Sequence, residues 1–223
     1  DYPLKKPLAR VPVKYTGYAI YVPEQQYLNS ASTKALANTV YKRLGKYNPV
    51  SNIKGERDGI VEEPDLIAIG SNNSVNAASM LIEYAYIYEP QLNDPAVRPL
   101  YLKELAYETY LGLMDFFDPS VAVAEAKVFD TLTLPYKWES VMTGKNDSTK
   151  DVFALQTALI LDGVYPPPGS SSNDCPRTGK LGPCTRSALK SFQEKYDIND
   201  EKGIAGPKTL ETLNRIYSSS NTL

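Results

Sequence analysis

Gly179-Lys-Leu-Gly-Pro-Cys-Thr185 and Gly203-Ile-Ala-Gly-Pro-Lys-Thr209 are two versions of one phrase, and they decide how the last third of the chain is read. Each sets a Gly-Pro pair ahead of a run with helical spacing and follows the pair with a threonine. Proline fits the first turn of a helix, where its missing N–H leaves nothing unmade, and a nearby hydroxyl helps to open the helix. The two phrases therefore predict helix starts for segments 185–196 and 208–217. Upstream, Asp151-Val-Phe-Ala-Leu-Gln-Thr-Ala-Leu-Ile-Leu161 predicts a third helix, stopped by Gly163. Leu155, Leu159, Leu189, Phe192, Leu210 and Leu213 form the expected core of this three-helix unit, residues 151–223.

Between the first two helices lies a long loop rich in Pro, Gly and Ser that carries both cysteines of the chain, Cys175 and Cys184. No Cys-x-x-Cys spacing and no third ligand nearby support a redox or metal pair. A local disulfide closing the loop is expected, which places the protein outside the cytoplasm, in the wall, the periplasm or the extracellular space.

Toward the N-terminus the pattern changes from helices alone to strands alternating with helices. Gly17-Tyr-Ala-Ile-Tyr-Val22 alternates as a strand ended by Pro23. Asn29 or Ser30 opens a helix with the stripe Leu36, Ala37, Val40, Tyr41 and Leu44, and Gly45 is its expected stop. Residues 46–64 read as loop, with Glu62, Glu63 and Asp65 as charges of a helix start. Residues 77–88, nearly all apolar, read as a strand buried on both faces, as in a parallel sheet. Residues 99–117 return to helical spacing through Leu102, Leu105, Ala106, Tyr110, Leu113 and Phe117. The expected fold class is α/β, a partial twisted sheet flanked by helices over residues 1–118. A connection over 119–150 then leads to the small helical domain at 151–223. Within that connection Phe129, Leu132, Leu134 and Trp138 are expected to pack on something, and 136–142 is a possible strand.

The net charge of −2 provides no field to hold nucleic acid or an anionic membrane, and no apolar run approaches the ~18 residues of a membrane span. Histidine is absent, so Ser-His-Asp and Cys-His arrangements are impossible within the chain and the commonest zinc ligand is missing. Glu83 breaks an apolar run, with Met80, Leu81 and Ile82 before it and Tyr84, Ala85, Tyr86 and Ile87 after it. A carboxylate so placed must be paired, hydrogen-bonded or solvated at a strand end. It is either an ordinary glutamate at a sheet edge or a functional group at the end of a strand, where α/β sites gather.

Four blocks in order, Asp151-Val-x-x-Leu-Gln-x-x-Leu, Thr178-Gly-x-x-Gly-Pro-x-Thr185, Ala188-Leu-x-x-Phe-Gln193 and Gly203-Ile-Ala-Gly-Pro-Lys-Thr-Leu210, resemble the three-helix peptidoglycan-binding domain of bacterial wall hydrolases. The resemblance implies peptidoglycan as partner. Its departure is the stretched loop 166–177. The N-terminal part is similar to the second half of a zinc-dependent N-acetylmuramoyl-L-alanine amidase. That likeness rests on Gly17-Tyr-Ala-Ile-Tyr21, Ser32-Thr-Lys-Ala-Leu-Ala37 and Ser79-Met-Leu-Ile-Glu-Tyr-Ala-Tyr86. It implies that Glu83 is the catalytic glutamate and that Arg57 stands where the family often carries a basic residue facing substrate. An exposed arginine is also an ordinary solvated side chain. The family has Pro where Ala78 stands, Gly where Ala85 stands and Asn near Glu89.

The same resemblance implies zinc, bound by two histidines and a glutamate that would all lie upstream of Asp1, since none falls in this chain. The start at Asp1 reads as a processed or excised piece. The expected function is cleavage of the bond between muramic acid and L-alanine, with the C-terminal module holding the enzyme on its polymer. The chain alone, without metal ligands, is expected to be inactive. The rivals are a non-catalytic wall anchor or surface structural protein that kept the fold, and an activator of another hydrolase.

Overall fold

A computed structural model describes residues 15–24, 28–66, 69, 76–118, 131–199 and 201–219. The fold is mixed α/β, with a three-stranded sheet and six helices among the described residues. In chain order these are β1 (Ala19–Pro23), α1 (Ser30–Tyr47), β2 (Ile60–Glu63), β3 (Leu81–Glu83), α2 (Pro90–Asn93), α3 (Arg98–Phe117), α4 (Thr149–Leu161), α5 (Pro183–Lys195) and α6 (Pro207–Tyr217).

The sheet order is β2-β1-β3. β1 runs parallel to β2, with Ile20 opposite Ile60, and antiparallel to β3, with Ala19 opposite Glu83. The central strand therefore has partners for its backbone on both sides, and Tyr18, Ile20 and Val22 are fully buried. α1 supplies Ala37, Val40 and Leu44 to the same core, and α3 supplies Tyr101 and Leu105. The two helices meet at Gly112, where an added Cβ would lie 2.5 Å from Val40 Cα, so only hydrogen permits that approach. Arg43 forks onto Asp115 at 2.5 and 2.6 Å and ties the same helices at their rim.

Several expectations change here. Gly45 does not stop α1, which runs on to Tyr47; its missing Cβ makes room for the Tyr18 hydroxyl, 2.9 Å from where that carbon would sit. The stretch read as loop contains β2, and Glu62 and Glu63 lie in that strand instead of opening a helix; Glu62 pairs with Lys34 of α1 at 2.7 Å. The long strand expected over 77–88 shrinks to three residues at an antiparallel edge, half-exposed instead of buried on both faces. Met80, Tyr84 and Ala85 beside it pack as irregular chain against the core while Ile87 and Tyr88 are exposed, a difference that composition alone does not register.

The face of α3 is rotated from the apolar stripe. Leu102, Tyr110 and Phe117 are exposed, while Tyr101, Glu104, Leu105, Glu108 and Gly112 are buried. Two carboxylates face inward because partners elsewhere in the chain receive them, and hydrophobic periodicity has no means of registering such partners.

The C-terminal helices fall close to expectation, and Leu155, Leu159, Leu189, Phe192, Leu210 and Leu213 all lie in one core. The preceding segment joins that core through Leu134, Trp138 and Met142. Trp138 N–H donates to Asn214 Oδ1 at 2.9 Å, Asn214 Nδ2 returns a bond to Trp138 O at 2.8 Å, and Tyr136 N–H donates to Tyr217 O at 2.9 Å. The possible strand reduces to a single bridge between Met142 and Ala205, and Leu132 is exposed. Phe129 lies outside the described residues.

Candidate functional site

The two Gly-Pro phrases are the two halves of one structural repeat, each locked by a glutamine. Gln156 of α4 accepts from Gly179 N–H at 2.8 Å and donates to Lys180 O at 3.2 Å and Thr185 Oγ1 at 2.9 Å. Gln193 of α5 accepts from Gly203 N–H at 2.7 Å and donates to Ile204 O at 2.7 Å and Thr209 Oγ1 at 2.9 Å. Both amides are buried, as are both threonines, so each glutamine satisfies a loop that would otherwise bury orphaned polar groups. The glycines hold φ of +74° and +81°, a region that side-chain-bearing residues rarely enter, which is why glycine recurs there. Pro183 and Pro207 then sit in the first turns of α5 and α6. The sequence blocks contain both glutamines, but spacing alone does not reveal that they bracket the loops.

Cys175 and Cys184 are bonded, with S–S 2.07 Å. The loop they close carries Arg177, whose side chain leaves the C-terminal unit and enters the α/β body. Arg177 Nη2 lies 2.7 Å from Glu104 Oε2, with the two side chains 2% and 1% exposed. Its Nη1 donates to Thr157 Oγ1 at 2.8 Å, and the guanidinium lies over Phe153 at 4.2 Å and Tyr47 at 5.2 Å from the ring centroids. Burial works against the guanidinium charge, but Glu104 and Glu108 outweigh it and hold its pKa above the ordinary value. Glu104 Oε1 also accepts from the hydroxyls of Thr131 and Thr133 and from Thr133 N–H. Asn48 Nδ2 donates to Glu108 at 2.7 Å. Phe153, on α4, is buried in the core of the α/β body, edge-on to Tyr101. The two parts of the chain thus share a polar core and an aromatic plug. The sequence carries carboxylates four apart inside an apolar helix and an arginine between two cysteines, but nothing in their spacing ties the one to the other.

Glu83 is exposed at the end of β3. Arg57 is exposed in the turn before β2, whereas its neighbour Glu56 is turned inward. Glu56 is buried and accepts from the Tyr21 hydroxyl at 2.8 Å and the Tyr86 hydroxyl at 3.5 Å. The Tyr21 phenol is pushed well up, by burial first, then by its bond to Glu56 and the charges of Glu56 and Glu83. Tyr86 is raised as well, by burial first, with the same two carboxylates adding to it. Both phenols therefore stay neutral donors near neutral pH, beside one buried and one exposed carboxylate. Tyr86 stacks on Tyr88 at 5.6 Å, so this edge of the sheet is aromatic as well as acidic.

Among the described residues no group of three His, Cys, Asp or Glu side chains could hold a metal ion. Both cysteines are in the disulfide, and Glu56 is already occupied by two hydroxyls. These residues do not fit a zinc ion. No helix among them is long and apolar enough to cross a membrane.

Residues 148–213 match a family model described as "putative peptidoglycan binding domain". This is the stretch that holds both glutamine-locked repeats. No curated protein and no solved structure matches the chain.

Proposed function

We propose that the chain attaches to bacterial peptidoglycan through residues 148–213 and presents the α/β body to the wall at a fixed orientation. The observation that carries this is the match of the repeat unit to the peptidoglycan-binding family, together with the buried Arg177–Glu104 pair at its boundary with the body. A module tethered for reach alone needs no such pair, because a flexible linker already supplies local concentration. Sedimentation with purified sacculi tests the attachment: the chain should pellet with the wall and remain in solution without it. A chain that stays in the supernatant with walls of several chemotypes would sink the proposal.

A finer reading is that the body belongs to an N-acetylmuramoyl-L-alanine amidase. The observation favouring it is the exposed carboxylate of Glu83 at a strand end, reachable by substrate and bordered by the neutral phenols of Tyr21 and Tyr86. An exposed carboxylate there can take a proton from a nucleophile and return it to a departing amine. The zinc of that family finds no ligand set among the described residues, so Glu83's proton transfer is the only step derived from them. If the protein releases L-alanine-terminated peptides from walls, Glu83→Gln should lower turnover by about 10²–10⁴-fold with sedimentation unchanged. Undiminished release would leave the non-catalytic anchor as the better description.

A further inference from the structure

The longest apolar stripe of α3 faces away from the protein's own core. Leu102, Ala106, Tyr110, Leu113 and Phe117 recur at steps of four, four, three and four, which gathers them within about 80° of arc on one side of the helix. The residues that α3 gives to the core, Tyr101, Glu104, Leu105, Glu108 and Gly112, lie on the other side. Leu102, Tyr110 and Phe117 are 51%, 53% and 74% exposed, and Ala106 is exposed with them. A helix that is apolar on two sides has two surfaces to bury, and the core takes only one of them. The exposed rings are already braced: Tyr110 stacks on Tyr107 at 6.4 Å, and Phe117 meets Phe116 edge-on at 5.0 Å. They therefore give up little freedom when something covers them. At its N-terminal end the stripe runs into a groove of about 330 Å³ lined by Tyr84, Ala85, Leu92, Leu102, Leu105 and Ala106.

No charged residue interrupts the stripe, but its two ends differ. Exposed Lys103 stands beside Leu102 at one end. At the other, the last turn of α3 contains no basic residue, and the charge of Asp115 is already met by Arg43. A helix C-terminus is the negative end of the helix dipole and attracts a cation. The stripe is therefore complementary to itself when reversed. A twofold axis at Tyr110 brings Lys103 of one copy to the last turn of α3 in the other, Leu102 to Phe117 and Ala106 to Leu113. A parallel pairing would set Lys103 against Lys103. The 4-3-4 spacing of Ala106, Tyr110, Leu113 and Phe117 suits two helices packed nearly antiparallel. Covering the stripe and its rim would bury on the order of 600 Å² per copy, about 1,200 Å² in all, which reaches the lower bound of a specific, stable interface. A membrane surface fits less well, because a helix lying in one carries a polar face rich in Lys and Arg. Opposite this stripe α3 carries the buried Glu104 and Glu108 instead.

We infer that the outer face of α3 is where two copies of this chain pair, antiparallel about Tyr110. The pairing does not depend on what residues 148–213 bind. Where they hold the wall, each pair carries two such modules and gains avidity without any new contact to the polymer.

The test is sedimentation velocity of the full chain over a wide concentration range, with Tyr110→Glu, Lys103→Glu and, as a control at an exposed apolar residue off α3, Val141→Glu. Wild type should show a monomer–dimer equilibrium with a Kd on the order of 1–100 µM, as befits an interface of the smallest specific size. Tyr110→Glu sets two carboxylates face to face at the axis and should weaken pairing at least tenfold, with circular dichroism unchanged. Lys103→Glu should weaken it about threefold to tenfold, and Val141→Glu should match wild type. A short bis-maleimide reads the geometry and decides even if Tyr110→Glu fails to fold. Tyr110→Cys should cross-link to its own copy, and the Leu102→Cys/Phe117→Cys double variant should cross-link between copies. Leu102→Cys alone should not. Wild type that is monomeric at every concentration overturns the inference, as does a Tyr110→Glu variant that folds and pairs as tightly as wild type. Efficient cross-linking of Leu102→Cys alone would mean a parallel pairing and would also overturn it. No wall is present in these measurements, so they decide the pairing whether or not the peptidoglycan reading holds.

Discussion

Arg177→Met is the perturbation that most directly tests how the two parts of this protein are joined. Methionine keeps most of the stem that packs against Phe153 and Tyr47 but removes the charge. Two things are lost at once, the 2.7 Å pair with Glu104 and the 2.8 Å bond to Thr157. What is left is worse than the loss, because the buried carboxylate of Glu104 no longer has the guanidinium that offsets its charge. Removing one partner of a buried pair costs about 3–5 kcal/mol. For a chain of this length each kcal/mol moves Tm by about 2–4 °C, so a fall of roughly 6–20 °C is expected. The assay is thermal and urea unfolding followed by far-ultraviolet circular dichroism and by tyrosine and tryptophan fluorescence. Trp138 is the single tryptophan and lies in the C-terminal core, so its signal separates that unit from the body. In wild type the two probes should coincide; in the variant they should part, because the junction is what couples the units. Glu104→Gln should cost less, since Glu108 still faces the guanidinium. The Arg177/Glu104 double-mutant cycle should give a coupling of about 1–3 kcal/mol. A Tm within about 2 °C of wild type, with probes still coincident, would refute the reasoning.

Three further outcomes are expected. Replacing Cys175 and Cys184 together by serine should lower stability by about 2–3 kcal/mol, the value for closing a loop this short, and reduction of the wild type should add two hydrogens to the intact mass; a mass unchanged by reductant would deny the bond. Gln156→Leu and Gln193→Leu should each cost about 2–4 kcal/mol, since each strands a buried glycine N–H and removes bonds to a loop carbonyl and a buried threonine hydroxyl, and equal losses in chemical denaturation would support the equivalence of the two halves. The pKa of Glu201 is pushed up by burial but pulled further down by Thr209 and the N–H groups of residues 206, 208 and 209, so it lies below the ordinary 4.5. A lowered folded-state pKa gives stability that is present above the unfolded value and lost as pH falls through the folded one. Glu201→Gln should therefore melt below wild type at pH 7, with the gap closing as pH falls below the ordinary 4.5 and through the lowered folded-state value, and a gap independent of pH would contradict the assignment.

Local chemistry determined the C-terminal unit from the sequence. Gly-Pro turns start helices wherever they stand, cysteines nine positions apart in a loop can close on each other, and leucines at helical spacing find a common core. The same locality made Glu83 visible, because a carboxylate inside an apolar run is anomalous whatever surrounds it. What local pattern could not determine was the direction in which a face points when its partner is far along the chain. Glu104 and Glu108 turn inward only because Arg177 and Asn48 arrive to meet them, from 73 and 60 positions away respectively. The long apolar run at 77–88 forms only three residues of strand, at one edge of β1, whose other side is taken by β2. The two glutamines carried no outward sign of their role, since a bracket exists only when the loop it holds has folded back onto its helix. The sequence written twice in the Gly-Pro phrases determined that the unit is a repeat. Only the packing decided that the first half of that repeat is covered by the α/β body, because burial depends on which surfaces meet, a property that no single stretch of residues contains.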